Sequence, residues 1–281
     1  MNLQLLDSLS LPGDPAKANE DAFSHDAVAA VVIDGATPLG DSLMPGPSDA
    51  TWIAQFGARR LMAHLRDGDG ARKALRATLA DTQKSFEALR RHEPEEVWQT
   101  PCGSMMLAVP DEGGVEFLWF GDCAALVKQG DAAVTVIGES FDKRAAEAQR
   151  AQKIGKEKNL SPAAGINRPE FLTALRAARN RINSGESWLF SPDVKAASHA
   201  ARRMVKAAPG STILLASDGL LALASDYGAY NADSLMAAAM DKGLAALGEE
   251  LRVIEAGDAL GDKFPRFKKS DDATGLLLKL S

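Results

Sequence analysis

The residues best suited to chemistry in this chain are acidic, and they occur in four short motifs that each adjoin an apolar run. The motifs lie far apart, at Asn19-Glu20-Asp21, Asp34-Gly35, Asp218-Gly219 and a segment that begins at Asp271. An ionised carboxylate beside a buried strand resists the loss of water unless a cation or a hydrogen-bond donor compensates it. Because strand ends can converge in space, the four motifs indicate carboxylates that share one metal cluster.

Short apolar runs predict the strands that would carry these motifs. Each run is bounded by glycine, polar or acidic residues, which is typical of buried strands. The runs cover residues 27–33, 104–109, 115–120, 124–127, 211–217 and 273–280. The second, third and fourth runs predict a β-meander, which Gly121-Asp122 interrupts near its end.

Apolar residues that recur three or four positions apart predict helices between the strands. The first of two amphipathic helices begins near Trp52, and a break at residues 67–70 separates it from the second. Residues 192–208 and about 232–255 predict further helices. Residues 139–160 are charged and rich in alanine, which predicts an exposed helix or a mobile segment. Strands in hairpin-like groups and helices in pairs favour antiparallel sheets with helices outside them.

The composition describes an ordinary acidic globular protein. The 281 residues are 46% hydrophobic and 25% charged, with a formal net charge of -6, which allows a single domain over residues 1–281. This charge provides no basic surface of the kind that nucleic-acid binding requires. The N-terminal residues show neither a secretory signal nor a membrane span, so we expect a cytoplasmic protein. Cys102 and Cys123 are expected to be buried and not to form a disulfide framework.

Five motifs give the chain a resemblance to a known family. NEDAF, VVIDG, WFGDCAALV, LLASDGL and SDDAT occur in the order and approximate spacing seen in the PPM family, the metal-dependent protein phosphatases of type 2C. The similarity spans nearly the whole chain. It implies an α+β fold, a four-layer α-β-β-α sandwich of two antiparallel sheets flanked by helices, with a metal site in a cleft at one end of the sheets. The segment at about residues 139–186 corresponds to a variable flap beside that cleft.

The resemblance also implies a role for each acidic motif. Asp34 resembles the carboxylate that bridges two metal ions, and Asp21 resembles the residue that orients a water molecule on the metal. Many members have an arginine that grips substrate phosphate where this chain has Ala16, and Lys17 is the nearest cation. Asp34, Asp21 and Lys17 are thus the implied catalytic residues, and Asp272 receives no definite role. The implied metal ligands are Glu20, Asp34, the Gly35 carbonyl, Asp122, Asp218 and Asp271.

The chemistry of these ligands agrees with the resemblance. A site made of carboxylate, carbonyl and water oxygens suits Mg²⁺ or Mn²⁺ rather than zinc or copper. Two such ions about 4 Å apart activate a bridging water and hold a phosphoryl group for in-line attack. The resemblance adds a weaker third ion at Asp122. The implied reaction is hydrolysis of phosphoserine or phosphothreonine in protein substrates, without a phosphoenzyme.

Two departures from the family pattern leave other functions open. Lysine cannot supply the bidentate fork of the missing arginine, and residues 36–40 read ATPLG and lack the histidine found there in many members. A pseudophosphatase that binds a signalling partner, or a phosphatase of a small phosphate ester, are therefore alternative interpretations. The intact carboxylates favour an enzyme, because a binding module does not need so much buried negative charge.

Overall fold

The strands of the protein form two antiparallel sheets. The computed structural model describes residues 1–139, 169–185, 187–266 and 268–281. In chain order the strands are β1 (Leu3–Leu11), β2 (Asp21–His25), β3 (Ala30–Gly35), β4 (Gly103–Asp111), β5 (Gly114–Phe120), β6 (Ala124–Lys128), β7 (Thr135–Ile137), β8 (Ala201–Val205), β9 (Thr212–Ala216) and β10 (Ala273–Leu280). One sheet has the order β1-β10-β9-β6-β7 and the other has the order β2-β3-β4-β5-β8.

Helices cover the outer faces of both sheets. They are α1 (Asp49–Arg66), α2 (Ala71–Leu89), α3 (Pro169–Arg179), α4 (Asp218–Ser225), α5 (Ala232–Lys242) and α6 (Leu244–Gly257), with short 3₁₀ helices at Val97–Gln99 and Val194–His199. α1 and α2 pack on the sheet that contains β3, whereas α4, α5 and α6 pack on the sheet that contains β10. Within the described ranges, every helix is too short or too polar to cross a membrane.

The two sheets pack on each other through their inner faces. Successive residues of a strand point to opposite sides of its sheet. In β3, Ala30 and Val32 therefore pack between the sheets, whereas Val31 and Ile33 pack under α1 and α2. Both faces of this strand are buried, which explains why its sequence is continuously apolar. The same division holds for β9 and β10, so the predicted four-layer α-β-β-α sandwich is confirmed.

The predicted meander is wrong at its last strand. β4 and β5 form the expected antiparallel hairpin, but β6 pairs with β7 and β9 in the other sheet. The chain changes sheets at Gly121, whose φ of 68° lies in the left-handed region that favours glycine. This crossover places Asp122 where the ends of the two sheets meet.

The helix predicted over residues 192–208 is also wrong over much of its length. A 3₁₀ helix at Val194–His199 is followed by β8, which pairs with β5 at the edge of its sheet. The segment is polar and rich in alanine, as exposed helices are, but an edge strand also tolerates exposed charges such as Arg202 and Arg203. Pairing with β5 therefore outweighs local helix propensity here.

The helical stretch predicted over residues 232–255 is divided into two helices. Gly243 has a φ of 83° and separates α5, which ends at Lys242, from α6, which begins at Leu244. The Asp7 carboxylate on β1 accepts a hydrogen bond from the Leu244 backbone N–H at 2.7 Å. This bond satisfies one of the free N–H groups at the start of α6.

The other helix predictions are confirmed within a few residues. α1 begins at Asp49, because Ser48 caps it by accepting a hydrogen bond from the Thr51 backbone N–H. The break at residues 67–70 separates α1 from α2 as predicted. Most of the charged segment predicted at residues 139–160 lies outside the described residues.

Both cysteines are free and buried, as predicted. Cys102 directly precedes β4, and Cys123 directly precedes β6. Burial raises the pKa of both thiols. Neither cysteine is therefore a thiolate nucleophile at neutral pH.

Candidate metal centre

Five of the predicted acidic residues meet at one end of the two sheets. Asp21 begins β2 and lies directly across from Asp34 near the end of β3. Asp122 lies on the crossover between β5 and β6. Asp218 begins α4 just after β9, and Asp271 lies just before β10, which is the neighbour of β9. Strand ends from both sheets thus bring together carboxylates that are far apart in the sequence.

Asp34, Asp122 and Asp218 form the centre of this group. One carboxylate oxygen from each residue lies within 4.8 Å of those of the other two. Burial raises the pKa of Asp34 well above its ordinary value, and the negative charges of Asp21, Asp218, Asp271 and Asp122 raise it further. Carboxylates in such a group are stable in their ionised form only if cations compensate them.

Asp21 supplies a buried oxygen to the same site. Burial raises its pKa to about 7; the charges of Asp272 and Asp271 also raise it, whereas the hydroxyls of Ser217 and Thr274 lower it. Although those hydroxyls are near, Oδ2 of Asp21 has no hydrogen bond of normal geometry in the part of the chain that the structure describes. A buried carboxylate oxygen without a donor, in a set made only of oxygens, fits a hard divalent cation such as Mg²⁺ or Mn²⁺.

Glu20 is oriented by two hydroxyl groups that the sequence analysis does not single out. Thr37, in the loop after β3, donates a hydrogen bond to Oε2, and Ser48 donates one to Oε1 at 2.8 Å. Ser48 is also the N-cap of α1. The Glu20 side chain therefore connects the loop after Asp34-Gly35 to the first turn of α1, and both hydroxyls keep its carboxylate in one orientation.

The glycine after Asp34 is required by close packing. A Cβ atom at Gly35 would lie 2.4 Å from the Ala50 carbonyl oxygen and 2.6 Å from the Glu20 carbonyl oxygen. The backbone N–H of Gly35 donates a hydrogen bond to that Glu20 carbonyl at 3.1 Å. Only glycine lets the backbones of the two predicted ligands approach in this way.

Asp272 has a positioning role that its sequence context leaves open. Its Oδ1 accepts a hydrogen bond from the Gly13 backbone N–H at 2.7 Å, and its Oδ2 accepts one from the Glu20 backbone N–H at 2.6 Å. The carboxylate thereby joins the segment before β10 to the loop that carries Glu20. This contact ties the backbone at Glu20 to the residue that follows Asp271.

Asp122 is also held by a neighbouring side chain. The Ser104 hydroxyl, on β4, donates a hydrogen bond to its Oδ1 at 2.5 Å. A Cβ atom at Gly121 would lie 2.1 Å from the same Ser104 oxygen. The crossover from β5 to β6 is thus tight, and it aims Asp122 toward Asp34.

The structure places Lys17 outside the buried group. Its side chain is 76% exposed, and its Nζ lies 3.9 Å from Oδ2 of Asp14. Lys17 belongs to the loop between β1 and β2, next to the segment that contains Glu20. It is a solvent-facing cation three residues before Glu20 in the sequence, and its predicted catalytic role stays a prediction.

Lys268 is a site residue that sequence reasoning missed. Its Nζ lies 2.7 Å from Oδ1 of Asp271. Desolvation acts to lower the pKa of Lys268, but the charge and hydrogen bond of Asp271 and the charges of Asp34 and Glu20 outweigh it and raise the pKa. The available signal was the basic run KFPRFKKS directly before Asp271, with a lysine three residues ahead of that carboxylate.

The family of the chain is now clear. Residues 16–252 match the family model described as Protein phosphatase 2C. The matched range contains Glu20, Asp34, Asp122 and Asp218. The chain belongs to the protein phosphatase 2C family, as the sequence motifs indicated, and it is a metal-dependent protein phosphatase. No curated protein matches the chain.

Solved bacterial phosphatases share the fold across their whole length. The serine/threonine phosphatase PstP/Ppp of Mycobacterium tuberculosis is 18% identical, with a TM-score of 0.59 over 100% of both chains. The catalytic domain of PstP in complex with two manganese ions is 17% identical, with a TM-score of 0.57 over 99% of this chain and 98% of that one. PppA, described as a regulatory component of the type VI secretion system of Pseudomonas aeruginosa, is 15% identical, with a TM-score of 0.53 over 100% of this chain and 99% of that one.

Proposed function

We propose that this protein hydrolyses phosphoserine and phosphothreonine in protein substrates at a centre of two or three Mg²⁺ or Mn²⁺ ions. The observation that carries the proposal is the group formed by Asp34, Asp122 and Asp218, whose oxygens lie within 4.8 Å of one another in a member of the protein phosphatase 2C family. The two manganese ions bound by PstP support manganese as a cofactor.

The proposed metal ligands are those that the sequence motifs imply. We assign Asp34 the bridging role that the sequence motif implies, because one of its carboxylate oxygens lies within 4.8 Å of oxygens of both Asp122 and Asp218. When bound, the ions would polarise the phosphoryl oxygens and lower the pKa of a water molecule. The full set of proposed ligands is Glu20, Asp34, the Gly35 carbonyl, Asp122, Asp218 and Asp271.

The chain's own groups would then orient the reactants. Asp21 would orient a water molecule at the centre, because its buried Oδ2 has no hydrogen bond of normal geometry within the described residues and is available as an acceptor. Glu20 keeps one orientation because Thr37 and Ser48 donate hydrogen bonds to it. Groups fixed in this way lose little freedom when the substrate binds, which favours the reaction.

The proposal is tested by measuring hydrolysis of a phosphothreonine peptide and of a small aryl phosphate with Mn²⁺, with Mg²⁺ and with a chelator. We expect turnover of the peptide that requires a divalent ion and falls by at least about a hundredfold in the chelator, since metal ions supply several kcal/mol of transition-state stabilisation. Asp131→Asn, which changes an exposed acid, is the control and should keep full activity.

Two outcomes would contradict the proposal in different ways. Hydrolysis of the small ester without hydrolysis of any phosphopeptide would indicate a small-molecule phosphatase. A folded protein that binds Mn²⁺ but hydrolyses neither substrate would support the pseudophosphatase interpretation.

Lys17→Ala is expected to raise KM for a phosphopeptide by roughly threefold and to leave kcat almost unchanged. An exposed cation attracts the phosphate equally in the ground state and the transition state, and such uniform binding affects KM alone. Steady-state kinetics would measure both constants. Lys279→Ala is the matched control, because Lys279 is an exposed lysine near the opposite end of β10. An unchanged KM would remove Lys17 from the site.

Three further sequence predictions remain part of this proposal. Residues 1–281 would act as one domain, and the segment at about residues 139–186 would select substrates beside the metal centre. Within that segment, Arg179 on α3 donates a hydrogen bond to the Thr37 carbonyl at 2.8 Å, which attaches α3 to the loop that orients Glu20. The cytoplasmic location stays a prediction from the sequence.

A further inference from the structure

The loop that carries Lys268 is anchored on both sides. Arg266 donates hydrogen bonds to the Asp258 carboxylate at 2.8 Å and to the backbone carbonyl of the residue after Lys268 at 3.1 Å. Arg252, on α6, donates a hydrogen bond to the Asp271 backbone carbonyl at 2.8 Å. Arg266 and Asp258 are both largely buried, so this pair is shielded from water. The backbone around Lys268 is therefore attached to α6 and to its C-terminal end.

Between these anchors, the ammonium of Lys268 faces the acidic group. Its Nζ lies 2.7 Å from Oδ1 of Asp271, and the charges of Asp34 and Glu20 also act on it. These three acidic residues are all proposed metal ligands. An ammonium and a divalent ion repel each other, so they cannot both occupy positions next to the same Asp271 oxygen without a large cost in free energy.

We propose that Lys268 is an internal counter-cation of the metal centre, which pairs with Asp271 in the metal-free protein and leaves it when a divalent ion binds. The inference rests on the proposed metal site. In the metal-free state Lys268 reduces the repulsion among the carboxylates. It also competes with the metal, so it lowers the affinity of the site for divalent ions without being a ligand itself.

The lysine side chain is suited to such an exchange. Its side chain is 33% exposed, which leaves a path from Asp271 to solvent. Its four-carbon stem is flexible, and its ammonium is readily hydrated. Because the backbone is anchored, only the side chain needs to move. An arginine would form a more persistent bidentate pair with the same carboxylate.

Calorimetric titration of metal-free protein with Mn²⁺ tests this inference. We expect Lys268→Met to bind Mn²⁺ on the order of tenfold more tightly than the wild-type protein, because the competing charge is gone. In the presence of a chelator, the same variant should melt at a lower temperature, because the carboxylates then lack their counter-cation. Lys269→Met changes an exposed lysine next to it and should match the wild-type protein in both measurements.

Two further variants separate charge from packing. Lys268→Arg keeps the charge and should bind Mn²⁺ no more tightly than the wild-type protein. Lys268→Gln removes the charge but keeps a hydrogen-bond donor, and it should bind Mn²⁺ more tightly. It also provides the comparison if Lys268→Met does not fold without metal.

The outcomes distinguish this inference from the proposed function. If the wild-type protein binds Mn²⁺ and Lys268→Met and Lys268→Gln bind it no more tightly, the counter-cation role is wrong and the metal site stands. If neither the wild-type protein nor these variants bind Mn²⁺, the proposed metal site is wrong, and the inference fails with it.

Discussion

Replacing Asp34 with asparagine is expected to reduce phosphatase turnover by about a thousandfold and, in metal-free protein, to raise the melting temperature. The first effect follows because the proposed bridging carboxylate is lost, and metal ions contribute several kcal/mol to transition-state stabilisation. The second follows because the loss of water around Asp34, and then the charges of four other carboxylates, raise its pKa well above the ordinary value. Such a group costs folding free energy whether it ionises or takes up a proton, and asparagine avoids both costs.

The two effects of Asp34→Asn are measured independently. Steady-state hydrolysis of a phosphothreonine peptide in Mn²⁺ gives the change in kcat, and thermal unfolding in a chelator gives the change in stability, for which we expect an increase of roughly 3 °C. Asp131→Asn removes an exposed carboxylate and should change neither quantity. Activity close to that of the wild-type protein would refute the role assigned to Asp34. A lower melting temperature in the chelator would show that the carboxylate stabilises the metal-free fold.

Metal-free protein is expected to lose stability as the pH rises from about 4 to about 7. Asp21 has an ordinary pKa of 3.8, and burial raises it to about 7 in the folded protein. Between these values the folded state binds more protons than the unfolded state, so the free energy of unfolding falls as pH rises. A pKa that rises from 3.8 to about 7 corresponds to at most about 4 kcal/mol, because each tenfold change in proton affinity is worth about 1.4 kcal/mol.

Other shifted carboxylates do not reverse this expectation. Asp34 and Asp49 both have raised pKa values, with burial as the largest cause, so they contribute in the same direction. Asp81, Asp258 and Glu250 have lowered pKa values, so the stability that they provide is lost only as the pH falls below about 5. Asp21 and Asp34 in the metal centre, together with Asp49 outside it, therefore set the direction of the change from about pH 4 to 7.

Saturating Mn²⁺ should reverse the pH dependence, because metal ions bind ionised carboxylates and stabilise the state that holds them. Chemical denaturation from pH 5 to 8, with and without Mn²⁺, would measure both trends. Asp21→Asn should flatten the metal-free profile, whereas Asp131→Asn should not. Metal-free stability that is constant or increases from pH 5 to 7 would show that the acidic group is compensated without metal.

Much of the site could be predicted from the sequence because its ligands adjoin regular elements with strong local signals. Asp34 ends an apolar run that forms β3, and Asp218 directly follows the run that forms β9. Both strands are buried on two faces, so their sequences are continuously apolar and easy to recognise. A carboxylate that ends or directly follows such a run was therefore expected to lie at the end of a strand.

The wrong predictions concern elements whose structure depends on contacts between distant segments of the chain. The sheet that β6 joins is decided by a glycine turn before it and by pairing with β9, and its own apolar sequence suits either sheet. β8 is a strand because β5 provides a partner, although its composition resembles that of a helix. Local propensity is too weak to predict either result.

The sequence by itself determined the family, the apolar strands β3, β4, β5, β6, β9 and β10, and the acidic residues that lie at strand ends. Only the tertiary structure decided which side chains support them. Thr37 and Ser48 orient Glu20, Asp272 joins the loops around Glu20 and Asp271, and Lys268 provides a cation next to Asp271. The reason is physical: burial and hydrogen-bond geometry are properties of residues that meet in space, and the neighbours of a charge determine its pKa and its availability to a metal ion.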